Sequence, residues 1–160
     1  MKLVIRDAEK TDFDSLLGLM QQLQEIHSNA RKDLFIQTDR PLEKEYYQEL
    51  LNKDNHYIYV VEDTNTKDVI AYTSLRIETF TGSLIMKDRK TLFVNELTVN
   101  EKYRGQGIGK YLFEFVMNKG REFEVQSIDL TVAEFNQSAI EFYKNIGMKT
   151  RSRRMEYIIS

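Results

Sequence analysis

The feature that most constrains this chain is the run Tyr103-Arg104-Gly105-Gln106-Gly107-Ile108-Gly109-Lys110, set between an apolar strand pattern ending at Val99 and an amphipathic helix pattern. Glycine at every second position leaves main-chain N–H groups uncovered. A helix opening there adds its own unpaired donors and the positive end of its dipole. The run therefore predicts a cradle for a phosphate-bearing ligand; its plainer reading is a tight strand-to-helix turn that uses glycine only for positive φ. Spacing excludes two common phosphate loops. A Walker A loop needs glycine in place of Arg104 and Ser or Thr in place of Tyr111, and a dinucleotide fingerprint needs its third glycine at Lys110 rather than Gly109.

The elements around this run predict a single mixed α/β domain over residues 1–160. Leu3 to Ile5 reads as a strand, and Thr11-Asp12-Phe13-Asp14 as a capping-box-like start to a helix with Leu16, Met20 and Leu23 on its apolar side. A polar stretch from Ser28 to Pro41 leads to a second helix around Leu42 to Leu51, with Pro41 suited to its first turn. Tyr57 to Glu62, Val69 to Ile77 and Thr91 to Val99 are rich in β-branched and aromatic residues and predict three strands. After the glycine run, Ile108, Leu112, Phe115 and Val116 share a helical face, and Ile128, Leu130 and Val132 alternate as a strand. Asn136 is suited to cap a last helix carrying Ala139, Phe142, Tyr143 and Ile146, with Gly147 as its stop and Met155 to Ile159 as a closing strand.

Composition narrows the function classes. With 160 residues, 41% hydrophobic and one proline, the chain suffices for one core. A formal net charge of −2 gives no general attraction to nucleic acid or anionic membrane, so the basic run Lys149, Arg151, Arg153 and Arg154 reads first as a solvated or guarded strand edge. Without cysteine there is no disulfide and no covalent Cys-acyl intermediate. His27 and His56 have no metal-like partner nearby in sequence and read as surface or helix-end residues, so no metal is expected. The short apolar start at Leu3 to Ile5 is not a signal peptide, and the expected address is cytoplasmic.

Arg104-Gly105-Gln106-Gly107-Ile108-Gly109 resembles the Q/R-x-x-G-x-G/A signature of the GCN5-related N-acetyltransferase (GNAT) family. A second segment, Asn136, Ala139, Phe142-Tyr143 and Ile146-Gly147-Met148, resembles the family's Asn-x-x-Ala-x-x-x-Tyr-x-x-x-Gly-Phe stretch. The likeness is strong over Leu92 to Met148. Residues 28–56 resemble loosely a subgroup with Arg-Pro-Asp-Leu-Phe, Lys32 replacing its proline. The resemblance implies a mostly antiparallel sheet of six or seven strands with helices on both faces, and an acetyl-CoA-dependent N-acetyltransferase acting on a primary amine by direct attack in a ternary complex. It also favours a homodimer. A non-enzymatic acyl-CoA sensor on the same fold is the alternative, and the acceptor itself stays unidentified.

The resemblance further assigns residues. The pyrophosphate of CoA is expected on the amides from Arg104 through Gly105, Gln106, Gly107, Ile108 and Gly109 to Lys110, and the pantetheine arm along Leu97, Thr98 and Val99. One of those strand amides would face the thioester oxygen. Asn136 reads either as a helix cap or as a cofactor contact. Tyr143 reads as the proton donor to the leaving thiolate, as a cofactor contact through a hydrogen bond to the CoA sulfur, or as ordinary core. Glu96, a carboxylate in an otherwise apolar strand, reads as the base for the incoming amine or as the partner of an arginine such as Arg76. Phe35 is expected at the acceptor pocket, with loop anchoring as its plainer role.

Overall fold

The computed structural model describes residues 1–160 as one five-stranded sheet carrying helices on both faces. Strand β1 (Leu3–Asp7) pairs antiparallel with β2 (His56–Asp63), β2 with β3 (Asp68–Phe80) and β3 with β4 (Arg89–Val99). Helix α3 (Ile108–Glu122) then carries the chain to β5 (Ser127–Leu130), which pairs parallel with β4. A helical crossover is the ordinary way to bring a strand back parallel. Helices α1 (Phe13–Ala30) and α2 (Lys44–Leu51) precede β2, and α4 (Gln137–Asn145) follows β5. No helix is long and apolar enough to cross a membrane.

Alternation along the strands divides the core in two. Ile58, Val60 and Tyr72 pack with Leu16 and Leu19 of α1 and Tyr47 of α2, while Tyr59, Leu75, Leu92 and Val94 pack with Val116 of α3. A third cluster joins Val61, Ile70 and Ala71 to Ile108 and Leu112, which seats the first turns of α3 against the sheet. Of the predicted face of α3, Ile108, Leu112 and Val116 are buried and Phe115 only partly so, while Phe113, outside that predicted face, is buried beside Leu112. A charged network pins β1: Arg6 bonds Asp12 and Glu62, each at 2.8 Å.

Four expectations are corrected. The sheet has five strands rather than six or seven, because Met155 to Ile159 forms no strand. Beyond Met148 no residue enters the backbone hydrogen-bond network, and ion pairs from Arg151 to Asp129 and from Glu156 to Arg31 hold the last segment instead. Val132 lies past the end of β5, where the chain leaves the sheet to form the cap of α4. The capping box at the first helix is Glu9 with Asp12, around a short 3-10 turn at Lys10–Asp12, rather than Thr11 with Asp14. Likewise α2 begins at Lys44, so Pro41 belongs to the connecting segment and lines a cavity.

Candidate functional site

The site grows from an irregularity in β4. Ser74 pairs with Glu96 and Leu75 with Val94, which leaves Asn95 as an extra residue opposite no partner. Such a bulge shifts the alternation by one residue. Leu92 and Val94 face α3 before it, and Leu97 and Val99 contact the α3 side after it. Without the bulge, Glu96 would share the face of Val94 and enter the α3 core. With it, Glu96 turns to the α1 side, where it accepts a hydrogen bond from the Tyr72 hydroxyl at 2.6 Å. Thr73 Oγ1 donates to the Glu96 carbonyl at 2.8 Å and fixes the main chain there.

Glu96 therefore sits in a cavity of about 330 Å³ walled by α1, the segment before α2, β4 and the start of α4. Burial holds its carboxyl above the usual range, and the Tyr72 hydroxyl and the charge of His27 only partly oppose that. Tyr72 is itself driven well above the ordinary phenol value by burial and by the Glu96 charge, so it remains the donor of the pair. The expected alternative, an ion pair of Glu96 with Arg76, is not what the structure holds. Arg76 bonds the Asn95 side chain, lies 3.6 Å from Glu78 and stacks over the Phe93 ring at 4.0 Å.

The same cavity receives Tyr143, Asn136, Phe35 and Leu97. Burial pushes the Tyr143 phenol up to about 12, and its hydroxyl makes no hydrogen bond within the chain. Its ring meets Phe113 and Phe142, so the hydroxyl end is the part left for the cavity. Asn136 is a cap, its Oδ1 accepting from the Ala139 amide at 3.3 Å, and it lines the cavity as well. Two residues assigned no site role from the sequence belong here. His27 lies on the cavity wall with Nδ1 on the Leu23 carbonyl at 2.8 Å, its ring held against Phe35 and Phe135. Asn95, the bulge residue, lines it too; its only sequence signal is that strict alternation would put an acid, Glu96, on the apolar face of Leu92 and Val94.

Beside the cavity, β4 and β5 part. Their pairing runs only from Thr91 with Ser127 to Val94 with Leu130, so from Asn95 to Val99 the β5-facing edge of β4 has no strand partner. Main-chain groups along Leu97, Thr98 and Val99 are thus open to an extended ligand, although the Thr98 side chain is buried on the other face and Arg104 Nε already donates to the Val99 carbonyl at 3.1 Å.

That open edge leads to the glycine run. Gly105 and Gly107 have φ of +75° and +82°, and a Cβ at either would point into open space. Gly107 occupies the N-cap of α3 with no side chain capping the helix, and the first main-chain helix bond runs from the Tyr111 amide to the Gly107 carbonyl. The amides of Ile108, Gly109 and Lys110 are therefore unpaired donors at a helix start, an arrangement fitted to a phosphate. Gly109 has a different reason to be glycine: a Cβ there would meet the Phe142 ring at 3.3 Å. Its side-chain absence serves the packing of α4 on α3 rather than the approach of an anion. No cluster of side chains suited to a metal ion occurs.

With this geometry in hand, comparison with known proteins is informative. Residues 20–148 match the model of the acetyltransferase (GNAT) family. A probable glucosamine 6-phosphate N-acetyltransferase of Drosophila melanogaster is 24% identical over 145 residues, covering 89% of this chain and 59% of the fly protein. The chain thus spans less than two thirds of that relative's length. A mutant of the BH1408 protein from Bacillus halodurans superposes with a TM-score of 0.95 at 29% identity, over 98% of this chain and 99% of the other. The structure of AAC(6')-Iy in complex with a CoA bisubstrate analogue superposes with a TM-score of 0.74 at 15% identity, over 100% and 99% of the two chains, a likeness of fold.

Proposed function

Because the chain belongs to the acetyltransferase (GNAT) family, we propose that it is an acetyl-CoA-dependent N-acetyltransferase of a primary amine, working by direct transfer in a ternary complex. The observation that carries this reading is the convergence of three features on one cavity: an acid with a raised affinity for protons, a tyrosine hydroxyl without a partner, and an open strand edge leading to unpaired helix amides. The CoA-analogue complex of the fold relative supports the choice of cofactor.

Acetyl-CoA supplies an activated thioester. Its pyrophosphate fits the amides of Ile108 to Lys110 and its pantetheine arm the free edge from Leu97 to Val99. An amine with a pKa near 10.4 arrives protonated, and only its neutral form is a nucleophile. Glu96 takes that proton, aided by a buried setting that strengthens it as a base. A strand amide in Leu97 to Val99 stabilises charge on the carbonyl oxygen. Tyr143, protonated up to about pH 12, delivers a proton to the departing sulfur.

The reading includes a cytoplasmic setting and a homodimer, the latter supported by apolar side chains exposed on the β3–β4 hairpin at Leu84 and Ile85 and near the end of the chain at Tyr157 and Ile159. The test is a panel of amines with acetyl-CoA, read by release of free thiol. Binding of acetyl-CoA with no thiol release from any amine would contradict a transferase and favour the sensor.

A further inference from the structure

We infer that the acceptor is a primary amine on a compact apolar body that carries no anionic group. The inference rests on the transferase reading above and names the substrate class for the same site. The acceptor half of the cavity is the part built by α1 and the segment after it. Met20, Leu23 and His27 recur at helical spacing on one side of α1, and Phe35 and Pro41 close the wall from the connecting segment. These are apolar surfaces apart from the Gln24 amide and one imidazole, and the proton of that imidazole is tied to the Leu23 carbonyl through Nδ1. In the neutral ring the remaining nitrogen, Nε2, is an acceptor, which suits an ammonium.

The charges point the same way. Glu96 is the one carboxylate on the wall, and no lysine or arginine lines the cavity. Arg31 is matched by Asp33 and Glu156, and Arg76 by the Asn95 side chain with Glu78 at 3.6 Å, while Arg40, beside Pro41, is exposed and lies outside the lining. An anionic substituent entering here would lose its water and meet a buried carboxylate with no counter-ion.

Gln24 gives its amide nitrogen to the Ile36 carbonyl at 2.6 Å, Asn95 Oδ1 accepts from Arg76, and Asn136 Oδ1 caps α4. On the α1 side an alkyl or arylalkyl body replaces water against Leu23 and Phe35 at a gain. Size is limited too, since the cavity of about 330 Å³ must also hold the acetyl end of the cofactor.

The experiment is a thiol-release assay at saturating acetyl-CoA with phenethylamine, isoamylamine, glucosamine and glucosamine 6-phosphate, alongside calorimetry of acetyl-CoA binding. The apolar amines should exceed glucosamine 6-phosphate in kcat/KM by on the order of 10²-fold, the discrimination expected against a buried unpaired group. Phe35→Ala should raise KM for phenethylamine several-fold while leaving kcat nearly unchanged, and should affect isoamylamine less. Preference for glucosamine 6-phosphate would overturn the inferred class and leave the transferase reading standing. An equal effect of Phe35→Ala on both apolar amines would overturn the role of the aromatic wall. Binding of acetyl-CoA without thiol release from any amine would overturn the transferase reading, and this inference with it.

Discussion

Replacing Glu96 by Gln should raise stability while destroying most of the activity, a combination that follows from the surroundings of this carboxyl. Burial holds its proton affinity above the unfolded value near 4.3, against partial opposition from the Tyr72 hydroxyl. The folded chain therefore binds this proton more tightly than the unfolded one. Stability from this group is greatest below the unfolded value and falls as pH climbs through the folded one, so at neutral pH the ionised form detracts from stability. Glutamine keeps the shape and still accepts from Tyr72 through its carbonyl oxygen, but carries no buried charge. Its Tm at pH 7 should exceed that of the native protein, and the gap should close near pH 4. Turnover should fall by on the order of 10²–10⁴, or about 3–5 kcal/mol in the barrier, the usual worth of a positioned base. That deficit should shrink as pH approaches the pKa of the amine. The assays are thermal melts and thiol-release rates across pH 6 to 10. A lower Tm with a rate ratio flat in pH would refute the base and restore a structural role for the carboxylate.

Three further outcomes are expected. Tyr143→Phe should bind acetyl-CoA as the native protein does yet lose on the order of 10²-fold in single-turnover rate, because the ring stays packed on Phe113 while the unpartnered hydroxyl is gone; an unchanged rate would remove Tyr143 as the acid. Gly107→Val should cost about 1–2 kcal/mol in strain at φ +82° and strongly weaken CoA binding by calorimetry, whereas Gly109→Ala should instead lower Tm by crowding the Phe142 ring. Arg6→Met should lose about 1–3 kcal/mol by urea denaturation at pH 7, since the buried Asp12 loses its only cationic partner while Glu62 keeps Lys67 at 3.7 Å. Burial acts to raise the Asp12 carboxyl, yet the Arg6 bond, the Glu9 amide and the Arg6 charge together outweigh it and hold the group below its usual value, so this loss should shrink as pH falls below 4.

Much of the architecture was legible because it is periodic. The apolar face at Ile108, Leu112 and Val116 and the cap at Asn136 with its stop at Gly147 follow from local rules, and the structure contains each. The glycine run was legible as a helix start with bare amides, although Gly109 proved to serve α4 packing. The closing strand was misread because a strand needs a partner edge as well as β-prone residues. The segment after Met148 has none within the chain. His27 was missed for a related reason: an isolated histidine near a helix end carries no local signal, and only the packing of α1 over β4 brings it to the cavity of Glu96. The bulge at Asn95 could have been read from parity, since Leu92, Val94, Leu97 and Val99 cannot share one face of an unbroken strand.

The central claim is direct transfer between two bound substrates, and initial velocities with acetyl-CoA and an accepted amine both varied test it most directly. Double-reciprocal lines that intersect are predicted, because the cavity joins the base at Glu96 to the acid at Tyr143 with no thiol in the chain to carry an acetyl group. Parallel lines, the signature of an acyl-enzyme, would contradict it.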